Sequence, residues 1–134
     1  MFRTSNFLRW VLFVDAATCT ATGLLLLIGA AALEQSLSLP SELLRYAGFS
    51  LLPFAMFLLF LATRQHLFQV GIWAVILLNV LWTVDSFLIL AVGWVSPTQL
   101  GSLLVVAQAL GVATLAGLEY VGLRKSLVAA AEAQ

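Results

Sequence analysis

A chain of 134 residues with 63% apolar side chains, 9% charged ones and mean hydropathy +1.09 cannot cover a water-facing surface, because a soluble domain carries about 25% charged residues. Six basic and six acidic residues leave no net charge and no basic patch for nucleic acid. A single cysteine excludes an internal disulfide and any multi-cysteine metal site.

Long uncharged stretches define the architecture. Residues 16–33, 46–63 and 65–84 carry no Asp, Glu, Lys or Arg, and neither do residues 86–118, which Gly93, Ser96 and Pro97 divide. Crossing the hydrocarbon core takes about 20 mostly apolar residues. Four crossings are therefore expected, at about 7–33, 41–63, 67–92 and 98–121, with residues 122–134 as a short helical tail. The connections are too short for a separate soluble domain, so residues 1–134 read as one all-α domain, a four-helix antiparallel membrane bundle.

The first segment opens with Arg3, Arg9, Phe7 and Trp10, the basic and aromatic mixture of a cytoplasmic interface. The apolar run behind them is longer than the core of a signal peptide and Asp15 interrupts it, so it is expected to be retained. Its first half is small and polar, from Asp15 through Thr18, Cys19 and Thr22 to Gly23. Its second half, Leu24 to Ile28, is purely fatty. Small residues let another backbone approach, so the first half is expected to face protein and the second lipid.

Ser41 is placed to cap the second helix, with Glu42 in its first turn, and Pro53 is expected to kink it. The short connection Thr63-Arg64-Gln65-His66 predicts a close hairpin with the third helix. That helix carries Asn79, Thr83 and Ser86 on one face, flanked by Asp85. Ser96, Pro97 and Gln99 read as the start of the fourth helix. Within it Gln108 lies near the middle, Ala109, Ala113 and Gly117 form a small-residue ridge, and Glu119, Tyr120, Arg124 and Lys125 mark the far interface. Trp10 and Trp94 read as interface anchors, Trp73 and Trp82 as packing residues.

Basic residues set the orientation. With the amino end inside, Arg3, Arg9, Arg64, Arg124 and Lys125 are cytoplasmic and only Arg45 is outside, which places both termini in the cytoplasm.

Asp15 is the leading candidate site. An acid at mid-helix costs roughly 2.5–3.5 kcal/mol on insertion scales, so it is normally partnered or functional. It lies on the order of 12 Å in from the inner end at helical rise. One reading is a proton- or cation-binding site opening to the cytoplasm. The other is a buried acid tying helices together, with Thr18 or Gln108 as neighbours. Asp85, in the outer part of the third helix, is expected to pair with Arg45, with a second station on a proton path as the alternative. The depths of Asp15 and Asp85 differ by about 10 Å, too far for a catalytic dyad. Thr18, Thr22, Asn79, Thr83, Ser86 and Gln108 are expected to supply interhelical hydrogen bonds. The one histidine, His66, cannot supply a bis-histidine haem and reads as a solvated loop residue. Cys19 reads as a small buried packing residue. No metal spacing, phosphate loop or nucleophile set is present, so neither a cofactor nor an enzymatic activity is expected. Expected partners are the bilayer and either a second copy of the chain or another membrane protein.

In layout the whole chain resembles small four-helix bacterial membrane proteins of DoxX-like type, a likeness of helix number and size that implies a multi-pass inner-membrane protein. Four helices with an acid embedded in the first also resemble the small multidrug resistance transporters. That likeness implies a role for Asp15 in alternately binding protons and cationic substrates, although the family uses Glu there, has shorter chains and has no counterpart of Asp85. Two functions are thus expected: a non-enzymatic accessory or assembly component, or a proton-coupled small transporter or channel using Asp15 and Asp85.

Overall fold

The computed structural model describes residues 6–66, 68–93 and 97–132. The chain is all-helical: α1 (Asn6–Leu37), α2 (Ser41–Thr63), α3 (Gln69–Ala91) and α4 (Gln99–Glu132). All four are long and apolar enough to cross a membrane, and the sequence boundaries hold best for α2 and α3. Both outer helices run longer than expected. α1 continues to Leu37 and α4 runs through the predicted tail to Glu132. At 1.5 Å per residue, α4 is about 51 Å long, well beyond a core about 30 Å thick. The expected Ser96 cap, the Trp94 anchor, Arg3 and the first residue of the expected third helix, Leu67, lie outside the described residues.

The helix ends explain these boundaries. Ser41 is the first helical residue of α2 rather than its cap, and its N–H donates to the Glu34 carboxylate at the end of α1. α2 continues unbroken through Pro53. α3 ends at Ala91, and Gly93 just beyond it adopts a positive φ of 71°, the left-handed conformation that glycine takes without a Cβ penalty. Thr98 caps α4: its hydroxyl oxygen accepts from Gly101 N–H at 3.1 Å. The same residue reaches α1, donating from its backbone N–H to Leu37 O at 3.0 Å and from its hydroxyl to Ser36 O at 3.1 Å. One residue thus starts α4 and fastens it to the end of α1.

α1 is the organising helix, packed along α2 on one side and α4 on the other, while α4 also packs along α3. Glycines allow two of these approaches. At the α1–α2 seam, a Cβ on Gly48 would stand 2.8 Å from Gly23 O. At the α1–α4 seam, a Cβ on Gly122 would stand 2.9 Å from the Leu8 Cα. The expected α2–α3 hairpin is a departure. The two helices meet chiefly where they are joined, with Gly71 set against Leu61, and their backbones stay apart elsewhere. A short connection forces close backbone approach only at the connection; beyond it, Leu51, Ala55 and Leu58 of α2 and Ile72, Val75 and Ile76 of α3 share one core without the two backbones drawing close.

The core runs through Leu8, Leu12, Leu58, Leu61, Ile72, Val75 and Leu123. The expected split of α1 appears only in part: Asp15, Ala16, Cys19 and Gly23 are buried but Ala17, Thr18 and Ala21 are exposed, and in the fatty half Leu25 and Ile28 are exposed, the latter 84%, while Leu26 packs against the core. The ridge expected on α4 does not face a neighbour. Ala109 is buried but Ala113 and Gly117 are exposed. The buried line of α4 is instead Ala109, Ala116, Glu119, Leu123 and Ser126, alternating steps of three, four and seven that keep one helical face.

Contacts at the helix ends gather the basic residues. Arg9 Nη2 donates to Arg64 O at 3.3 Å, and the Lys125 ammonium lies 4.4 Å from the centre of the Phe7 ring. The start of α1 and the ends of α2 and α4 therefore share one end of the molecule.

Candidate functional site

Of the six acids in the chain, Glu34, Glu42, Asp85 and Glu132 are exposed, and Asp15 and Glu119 are buried. Those two converge. Asn79 Nδ2 donates to Asp15 Oδ2 at 3.0 Å and to Glu119 Oε1 at 2.6 Å. Three helices supply the cluster: α1 through Asp15, α3 through Asn79 and α4 through Glu119. Asn79 lies near the middle of α3, about 15 Å from its start at helical rise, so the cluster stands at mid-membrane depth if α3 spans the bilayer. Both amide hydrogens of Asn79 are spent, one on each acid. The two acceptor oxygens can be no farther apart than those two hydrogen-bond lengths laid end to end.

Asp15 has a second hydrogen-bond donor. The Cys19 thiol, one turn along α1, donates to its Oδ1 at 3.5 Å. Glu119 Oε2, by contrast, is buried without a hydrogen-bond donor. Solvent exposure is 2% for Asp15, 4% for Asn79 and 0% for Glu119. Among the described residues no cation pairs with either acid, and no group of three His, Cys, Asp or Glu side chains is placed to hold a metal ion. A buried carboxylate without a counter-charge is costly, and two facing the same amide are costlier.

Glu119 corrects the sequence reading, which set it at the interface beside Tyr120 and Arg124. That placement followed from ending the helix near Val121. Because α4 continues to Glu132, Glu119 lies well inside it, on the same face as Ala116 and Leu123. The expected neighbours of Asp15 are also replaced. Thr18 is on the exposed side of α1 and donates to Val14 O at 2.8 Å. Thr22 is partly buried one turn beyond Cys19 and joins no hydrogen bond to the acids.

Gln108 belongs to a second polar set, on α3 and α4 alone. Trp82 Nε1 donates to Gln108 Oε1 at 2.8 Å, and Gln108 Nε2 donates to Ser86 Oγ at 2.9 Å and to Val105 O at 2.9 Å. Ser86 donates to Trp82 O at 2.8 Å, which closes the ring. The Thr83 hydroxyl stands 2.9 Å from Asn79 O and 3.4 Å from Ala109 O. The face Asn79–Thr83–Ser86 is thus real, but Asn79 serves one cluster and Ser86 the other.

The expected Arg45–Asp85 pair is not formed. Both residues are exposed and no ion pair joins them. The reason is the loose α2–α3 seam: the pair needs those helices side by side, and they are not. Nor does Asp85 join Asp15, whose hydrogen-bond partners are Cys19 and Asn79. Trp82 packs as expected, while Trp73 is 45% exposed and rests its ring 5.8 Å from that of Tyr120. His66 is exposed, and Cys19 is buried.

No protein-family model matches the chain, and no curated protein or solved structure matches it either.

Proposed function

We propose that the chain is a non-enzymatic multi-pass membrane protein, an accessory or assembly component whose four helices form an antiparallel bundle clasped at mid-membrane by Asp15, Asn79 and Glu119. The observation that carries this reading is sealing. A solute path needs its acids to line open, water-filled space, and these are 2% and 0% exposed and tied to one amide. Packing in a bilayer gains nothing from excluding water between helices, so polar contacts and close backbone approach hold the bundle instead. The clasp and the Gly23–Gly48 seam are those two devices.

The end-to-end contacts support alternating helix directions, since they put the start of α1 beside the ends of α2 and α4. Arg9, Arg64, Arg124 and Lys125 collect there and Arg45 lies toward the other end of α2, a bias that assigns the basic end, with both termini, to the cytoplasm and the protein to an inner membrane.

The test is a double-mutant cycle. Asp15→Asn and Glu119→Gln, singly and together, are compared by thermal unfolding in detergent. A clasp gives non-additive losses, with coupling on the order of 0.5–3 kcal/mol. Additive losses reject it.

A second reading, proton-coupled transport of a small solute, is favoured by one observation: the first-helix acid has a buried second acid beside it. Its test is proton release from the protein in liposomes as candidate cations are added. Release that Asp15→Asn abolishes would put transport first; silence from folded wild type leaves the clasp.

A further inference from the structure

The open seam and the sealed cluster are adjacent. Between α2 and α3 lies a cavity of about 160 Å³ whose walls come from all four helices, including Cys19, Ser50, Phe54, Asn79, Trp82 and Val112. Two of these, Cys19 and Asn79, are the hydrogen-bond donors to Asp15. The cavity therefore ends one residue short of the acids. It has room for water, which needs only on the order of 10–15 Å³ and two to four polar partners. The Ser50 hydroxyl, the Cys19 thiol and the Asn79 carbonyl oxygen offer them, because Asn79 spends only its amide hydrogens on the acids.

We infer that Asp15 and Glu119 share one proton and that this proton exchanges with water entering the cavity between α2 and α3. The second clause goes beyond the clasp, which holds whether or not its proton exchanges. Geometry requires a donor at this place. Glu119 Oε2 is buried with none, and an O–H on the neighbouring carboxyl is the one donor the cluster can add without a new residue. The proton also removes one of two buried negative charges. The groups facing the site are few. α1 brings Asp15 and the Cys19 thiol, α4 brings Glu119, α3 brings only the Asn79 amide, and α2 has no titratable side chain between Tyr46 and Arg64. Exchange replaces the carboxyl proton with one from water. The carboxyl O–H bond breaks as another forms, and the charge of the pair is unchanged. Asn79 is the barrier, since its side chain stands between the cavity and both acids.

The experiment is infrared spectroscopy of the full chain in lipid nanodiscs, in H₂O and after transfer to D₂O. The wild type shows a protonated-carboxyl C=O band at neutral pH. The band disappears in Asp15→Asn combined with Glu119→Gln. In D₂O it shifts on the timescale of water-accessible groups. Ser50→Leu, at the cavity wall and outside the cluster, keeps the band and slows the shift by about tenfold, as an added local opening would. Absence of the band from folded wild type overturns proton sharing. A band that stays in place while exposed amides exchange overturns water access. A shift as fast in Ser50→Leu as in wild type overturns the route through the cavity. The wild-type spectra decide the first two points even if the double variant fails to fold. The stability cycle is read separately, so loss of exchange and loss of the clasp are distinguishable.

Discussion

The two polar sets on α3 lie one to two turns apart and obey different rules. The Trp82–Gln108–Ser86 set is neutral, half-buried and confined to α3 and α4, and most of its bonds close on the backbone of its own helices or on one another. The Asp15–Asn79–Glu119 set joins three helices, is fully buried and depends on one amide shared by both acids, with the Cys19 thiol as the one further donor to Asp15. A neutral set degrades gracefully, because each group left behind finds a nearby carbonyl or hydroxyl. A charged set does not, because a carboxylate stripped of its donor in an apolar interior has no second choice.

The sharpest way to break this contrast is Asn79→Leu. It leaves both acids without their common donor and is expected to cost about 3 kcal/mol or more, the scale of a broken buried ionic contact. Thermal unfolding in detergent reads it; a loss no larger than that of Gln108→Leu would erase the distinction between the sets. A seam without any polar clasp gives the next size of effect. In Gly48→Ala the new methyl meets the Gly23 carbonyl, and a backbone that must move apart costs about 1–3 kcal/mol. Destabilisation should be visible as a lower midpoint, and an unchanged one would mean that α1 and α2 slide freely. Gln108→Leu itself should cost only about 0.6 kcal/mol, the average for an interhelical hydrogen bond in a membrane. It should also shift the fluorescence of Trp82, whose indole N–H it frees; with four tryptophans in the chain, the comparison is made against a Trp82→Phe background. The smallest effect belongs to Arg45→Ala with Asp85→Ala. Each should fall within about 0.5 kcal/mol of wild type and the pair should be additive, as for distant, independent sites. Coupling beyond that range would bring α2 and α3 closer together than the structure has them.

The history of the two buried acids shows what could be read in advance. Asp15 stands out in any linear reading because it interrupts a long apolar run. Glu119 does not, because it sits five residues before Arg124 and looks like part of a charged end. A signal was present: Ser126 to Glu132 is rich in helix formers and continues the face of Ala116, Glu119 and Leu123, which moves Glu119 away from the helix end. Asn79 was legible as a polar residue facing another helix, but not as the link between two acids. Arg45 and Asp85 show the opposite error, in which matching charge and matching depth suggested a contact that helix placement does not provide.

The apolar surroundings, the four helices long enough to cross a membrane and most of their bounds were legible along the chain. These depend on local quantities, namely apolar length, charge spacing and helix-ending residues, that each segment carries independently of its neighbours. Which helices adjoin, and hence that α1 rather than the α2–α3 hairpin organises the fold and that Asp15 and Glu119 share Asn79, emerges only once the helices pack. In a bilayer every apolar face is equally content against lipid or protein. Hydrophobic patterning therefore says little about which face packs, and the choice falls to shape, to glycine-sized gaps and to a few buried polar groups whose partners lie 40 and 64 residues away in the chain.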